Sequence, residues 1–416
     1  MVVPGRVDDD LFRPSVVDNP HPLLARLREE DPVHWSERHR AWLLTRYDDV
    51  SAGFRDERFS AQRILPALEY WDDRDSDAVD PVTDVLANWM VFKDPPDHPR
   101  LRRLVSTAFR PRAIAALRPE IEAVVDMLID DLVVEAAADP EGAVDLTRVF
   151  AGPLPAIVIA HMLGVPAEDR DRFRHWSDEL SDLVFGATEV PDRRERGQRA
   201  LTSLAAYFGE LIERSRADPQ DNVMGSLIES HDEGDHLSAD ELISTCTLLL
   251  FGGHETTTAL ITNGMAALLA SPEQMPCLTG GEVEANRAVE ELLRFEGPAK
   301  FEVRHAADRI ELHGKVIERG QRIFLSVISA NRDPAYFTDP DRLDLSRNPN
   351  PHLGFGFGAH FCLGATLART EGRVALSRLL ERFPDLAPAV PLDSLPWRPA
   401  LISRSLSSLP VTLGPR

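Results

Sequence analysis

Beyond about residue 47, apolar residues recur mostly at three- and four-residue spacing. The stretches IEAVVDMLIDDLVVEAAA, LTRVFAGPLPAIVIAHML and ERGQRALTSLAAYFGELIERS all keep that rhythm, the signature of one buried helix face. The longest such stretch opens at Ser238, where S-A-D-E fits a capping box closed by Glu241. It can continue to Ala270, about 50 Å at 1.5 Å per residue. Shorter helices are predicted over 19–30 and 363–381. Strand-forming runs are brief: PVHWS and AWLLTRY near the start, FEVRH, RIELH and RIFLSV after the long helices, and a closing SLSSLPVTL. No repeat or low-complexity linker divides the chain. The pattern predicts one compact domain over 1–416, mainly α with small β-sheets.

One stretch breaks its own pattern. In LLLFGGHETTTALI, two adjacent glycines, Gly252 and Gly253, interrupt the longest helix at its centre. Each interior glycine costs a helix about 1 kcal/mol against alanine, and β-branched threonines add less. The Glu255 carboxylate costs more still unless it is paired or reaches water. Gly252 and Thr256 are four residues apart, so the threonine hydroxyl can bond the Gly252 carbonyl. Local rules broken this way mark a place where function is expected.

A second stretch, HLGFGFGAHFCLGATLARTEGRVALSRLL, carries the chemistry. Gly354, Gly356 and Gly358 give a backbone able to take turns that other residues avoid. Cys362 follows at the mouth of a helix, a position expected to lower a thiol from about 8.5 toward neutrality. Gly364 leaves room for a flat group at the first turn. A phosphate-binding turn is one alternative, but it needs a hydrophobic strand before the glycines, where PNPNPHL stands. An inert buried cysteine is the other. A thiolate with free amides around it, facing a planar ligand, is what cysteine-ligated haem requires.

The run Phe355-Gly356-Phe357-Gly358-Ala359-His360-Phe361-Cys362-Leu363-Gly364 resembles the haem loop of the cytochrome P-450 family, F-x-x-G-x-[RH]-x-C-x-G, at every defined position. Three further signatures are similar and fall in the family's order. Glu291 and Arg294 match its E-x-x-R pair, with Arg342 as the expected third member. His98, Arg102 and Arg304 match its propionate-binding positions. G-G-H-E-T-T resembles its oxygen-binding motif, with Glu255 and Thr256 as the acid–alcohol pair. The resemblance spans the whole chain and implies the P-450 fold, haem b, Cys362 as axial iron ligand and His360 near a propionate. It also implies a gap above the iron made by Gly252 and Gly253, and a solvent-to-oxygen proton relay through Glu255 and Thr256. His254 is then expected to be structural or solvent-facing.

Composition narrows the remaining choices. A net charge of −22 leaves nucleic-acid binding with little support. The N-terminus MVVPGRVDDDLFRP shows no signal peptide, and no apolar run approaches a membrane span, so a cytoplasmic location is expected. The three cysteines have no paired spacing for a disulfide framework. Six arginines and no carboxylate lie between His98 and Arg118, either a solvated helix face or a dock for an acidic carrier. With no flavin or iron–sulfur module in the chain, the resemblance implies electrons from a ferredoxin or flavodoxin and its NAD(P)H reductase. The family's pocket segments correspond to 62–92, 176–190, 298–303 and 400–403. Trp89, Val91, Leu183, Phe185 and Leu401 there predict a hydrophobic substrate, and the resemblance implies that it is hydroxylated with one atom of O2. Lys300, if turned into the pocket, would meet a substrate carboxylate. A peroxide-driven peroxygenase or a haem sensor would need Cys362 without Glu255 and Thr256.

Overall fold

The structure is a computed structural model describing residues 7–62, 81–186, 189–232 and 235–414. The extreme N-terminus and residues 63–80 of the expected pocket segment 62–92 lie outside the described residues, as do 187 and 188.

Helices dominate, as the three- to four-residue rhythm predicts. Among the described residues, those of ten residues or more are α1 (His21–Glu30), α2 (Asp97–Ser106), α3 (Pro111–Ala138), α4 (Pro153–Met162), α5 (Arg170–Phe185), α6 (Arg193–Ala217), α7 (Ala239–Leu269), α8 (Glu282–Glu296) and α9 (Ala365–Arg382). The capping box opens α7 as expected: the Ser238 hydroxyl accepts from Glu241 N at 3.2 Å, and Glu241 Oε2 accepts from Ser238 N at 2.9 Å. The helix then runs unbroken for 31 residues and is buried on nearly every side, as an axle of the core must be. Helices α4, α5, α6, α8 and α9 pack directly on it. The last helix begins at Ala365 rather than 363, because Cys362 to Gly364 still belong to the turn before it.

The strands of the two larger sheets are short: β1 (Val33–Ser36), β2 (Ala41–Leu44), β3 (Phe59–Ser60), β4 (Ala143–Asp145), β5 (Phe301–Ala306), β6 (Arg322–Ser326), β7 (Ala387–Pro388) and β8 (Pro410–Thr412). The larger sheet has the order β1-β2-β6-β5-β3, antiparallel except for the parallel pair β2–β6. Its register sets Ile323 opposite Arg304, which fixes that arginine on a central strand. The three-stranded sheet, β7-β8-β4, ties residues 387–412 back to the segment between α3 and α4. No helix among the described residues is long and apolar enough to cross a membrane.

Candidate active site

The loop before α9 is held from several directions. Gly356 and Gly358 take φ values of 71° and 72°, a region glycine enters at no steric cost. A Cβ on Gly358 would also stand 2.9 Å from the Phe54 carbonyl oxygen. Cys362 N donates to Phe355 O at 2.9 Å, turning the sulfur toward a cavity. No atom would meet a Cβ on Gly364 within 4 Å, so the space beside the sulfur is open. Burial pushes the thiol up, while the Gly364 N–H, Arg102 and Arg369 act in the opposite direction.

Behind the loop lies a buried ionic brace. Arg294 Nε and Nη2 reach the Glu291 carboxylate at 2.7 and 2.8 Å, and its remaining donors meet the carbonyls of Asn331, Pro340 and Arg342. The expected third member, Arg342, supplies only that carbonyl. Arg347 takes the place instead, with its Nε 3.1 Å from Glu291 Oε2. Arg342 stands exposed in the irregular connection, whereas Arg347 turns inward. Asn331 Oδ1 carries the brace forward by accepting from Leu353 N at 2.7 Å, at the root of the cysteine loop.

Cys362 and the centre of α7 face one cavity of about 310 Å³. Its volume falls within the range of small-molecule pockets, about 300 to 1,000 Å³. Gly252 lies on its wall, and a Cβ there would meet nothing within 4 Å. The Thr256 hydroxyl donates to Gly252 O at 2.7 Å, the bond anticipated from their spacing. Gly253 serves another purpose. It also lines the cavity, but a Cβ on it would overlap Ile159 of α4, so its bare backbone lets two helices pack as well.

Glu255 faces away into an ion cluster. Its Oε1 lies 3.3 Å from Arg398 Nη1 and 3.2 Å from the Ser405 hydroxyl. Arg398 also binds Asp182 and lies 3.6 Å from Glu189. His254 is buried and bonds the Ser177 hydroxyl at 2.9 Å, a tie between α7 and α5.

At one edge of the cavity stand His98, Arg102, Arg304 and His360. The two imidazoles stack with centroids 3.9 Å apart. Burial, then His98, Arg304 and Arg102, push His360 down to about 3, and burial with Arg102 lowers His98. Four nitrogen-bearing side chains crowded together call for an anion. A flat dianion carrying iron fits this donor set: cations at one edge, sulfur below, a gap at Gly252 above and apolar walls between.

Other expectations about the walls need correcting. Val91 and Phe185 line the cavity, but Trp89 sits one layer behind, and Ile402 rather than Leu401 faces inward. Leu183 packs against Gly197 of α6 instead. Lys300 is buried away from the cavity, donating to Ala400 O at 3.2 Å, with burial and then Arg404 lowering it to about 7. One lining residue went unnoticed in the sequence. Glu371 of α9 is buried against the cavity beside Thr257, its Oε1 is without a hydrogen-bond partner, and burial raises it to about 8. It stands at an ordinary position in a regular helix, and no local signal marks it.

The sequence profile described as Cytochrome P-450 matches residues 69–278 and 285–396. The chain belongs to the cytochrome P-450 family. It is 42% identical to the vitamin D(3) 25-hydroxylase of Pseudonocardia autotrophica, over 99% of this chain and 98% of that one. It is 39% identical to the cytochrome P-450 monooxygenase PikC of Streptomyces venezuelae, over 94% of this chain and 91% of that one. Among solved structures, the Bacillus subtilis bacillaene synthase cytochrome P-450, PksS, is 38% identical and superposes with a TM-score of 0.87, covering 97% of this chain and 99% of that one. The protein is therefore a cytochrome P-450 monooxygenase, mainly α with small sheets and with a haem-iron cofactor.

Proposed function

We propose that this cytochrome P-450 hydroxylates an uncharged, hydrophobic small molecule, using O2 and electrons delivered by a separate ferredoxin or flavodoxin with its NAD(P)H reductase in the cytoplasm. The observation that carries the reading is the placement of Cys362 and the Gly252–Thr256 pair on one apolar-walled cavity. Cys362 would hold the iron of haem b, with His98, Arg102, Arg304 and His360 meeting its propionates and Phe355 and Gly364 packing beside it. Thiolate-bound haem iron supplies the reduction and cleavage of dioxygen.

The chain's own residues position and move protons. Thr256, anchored on Gly252 O, offers its oxygen toward the gap and can hold a water in line. Glu255 sits one residue away, within reach of Arg398 and the surface. By exchanging between that guanidinium and the gap, it would carry protons inward. The apolar walls exclude bulk water from the reacting position and favour a ligand without charge. The similarity to a protein named as a hydroxylase supports the same reaction class.

The test is turnover under isotopically labelled dioxygen, with a substrate chosen by its haem spin shift. One labelled oxygen atom per product molecule is expected. Label arriving only from added peroxide would replace the monooxygenase reading with a peroxygenase.

A further inference from the structure

Trp89 lies outside the cavity wall, wholly buried, yet it grips two of the side chains that form it. Its indole stacks on Phe251 at 4.9 Å and 28°, and on Phe92 at 5.7 Å and 19°. Phe251 in turn meets Phe185 at 4.8 Å and 38°. All three phenyl rings line the cavity. The indole itself is pinned, because Nε1 donates to the Thr247 hydroxyl at 2.9 Å. That hydroxyl has spent its own proton on Ser244 O at 2.8 Å, so its lone pair is left to face the indole. Phe251 directly precedes Gly252 on α7, which sets the row of rings beside the gap that Thr256 borders.

We propose that Trp89 is a specificity-determining positioning residue, whose tether to Thr247 fixes Phe251 and Phe92 so that the cavity selects a flat, unsaturated ring over saturated or flexible molecules of equal carbon number. Rigid tilted or stacked rings present fixed faces and edges, and an aromatic ligand gains from these beyond the area it buries. A saturated ring or chain gains only the burial. If the indole is released, Phe251 can rotate, and the wall becomes an adaptable apolar surface without that preference. This rests on the haem-monooxygenase reading, because the site is the same cavity.

The experiment compares naphthalene, its saturated counterpart decalin, and n-decane, each titrated by haem spin shift against the parent, Thr247→Val, Trp89→Phe and Trp89→Leu. The parent should bind naphthalene about fivefold tighter than the other two, roughly the worth of one aromatic pair. Thr247→Val removes only the tether and touches no part of the cavity wall. It should keep the parent's haem content and bring the three affinities within about twofold of one another. Trp89→Leu should do the same, and Trp89→Phe, which keeps a ring without the tether, should fall between. Equal affinities in the parent overturn the proposal, as does a naphthalene preference that survives both Thr247→Val and Trp89→Leu. A parent that binds no haem would instead overturn the monooxygenase reading, and the proposal with it.

Discussion

Two ion networks in this molecule, each built on a buried glutamate, differ in how fully their charges are enclosed and paired. Around Glu291, both members of the pair have no exposed side-chain surface, and every guanidinium donor of Arg294 has an acceptor. Asp344 N, Arg347 and Asn350 fill the other side of the carboxylate. Around Glu255, one guanidinium, that of Arg398, is shared among Glu255, Asp182 and Glu189, and the cluster reaches solvent. Burial and saturation make the first a brace with a single arrangement. In the second, three carboxylates share one cation, so its charges are not saturated, as the proposed proton relay through Glu255 needs.

Breaking the brace should have the largest effect. Arg294→Ala breaks a buried ion pair and leaves three carbonyls without their donor, for which about 3–5 kcal/mol is expected. Denaturant unfolding should show that loss, together with poor haem retention, and a variant within about 1 kcal/mol of the parent would show that the network is dispensable.

The exchangeable network should govern chemistry instead of stability. Glu255→Gln should slow turnover by about a hundredfold, at the low end of what a positioned acid–base group contributes, with unfolding nearly unchanged. Thr256→Ala should keep haem and substrate binding but divert electrons to peroxide. Tight coupling of electrons to product in that variant would rule out the relay.

A neighbour of Glu291 sharpens the contrast. Burial alone would raise the Glu290 carboxyl, but His352 and Arg369 together bring it from 4.5 down to about 2. A depressed carboxyl contributes stability that is complete above the unfolded value and lost as pH falls through the folded one. Glu290→Gln should therefore cost about 1–3 kcal/mol near neutrality, allowing for its partial exposure. The gap to the parent should close between pH 4.5 and about 2. A gap that stays constant over that window would mean that the ion pairs contribute nothing.

The smallest effect belongs to the surface. Arg103 and Arg112 are exposed, and Arg103→Glu with Arg112→Glu should slow reduction by an acidic carrier several-fold and flatten its salt dependence. Unchanged rates would leave that arginine stretch an ordinary solvated face. Arg100 and Arg118 of the same run already have carboxylate partners, Glu241 and Glu122 among them.

What could be read in the sequence was whatever follows a period or a local motif. The capping box at Ser238 and the rhythm of α7 depend on neighbours within one turn, and both appear where expected. Cys362 and His360 of the haem loop, His98 and Arg102 of α2, Gly252 and Thr256 of α7 and Arg304 of β5 come together on one cavity, whereas Glu255 faces away from it. Contacts made by irregular segments were not legible. Arg347 rather than Arg342 meets Glu291 because the connection that carries them has no regular period. Arg398 reaches Glu255 from 143 residues away along a tail without helical or strand rhythm. Gly252 and Gly253 read identically, yet only the structure shows open space at one and Ile159 at the other.

The most direct measurement is the absorption spectrum of the reduced, carbonyl-bound protein beside that of Cys362→Ser. Sulfur ligation from Cys362 predicts a red-shifted Soret band in the parent that the variant lacks. The same band in both proteins, or its absence from a haem-loaded parent, would contradict it.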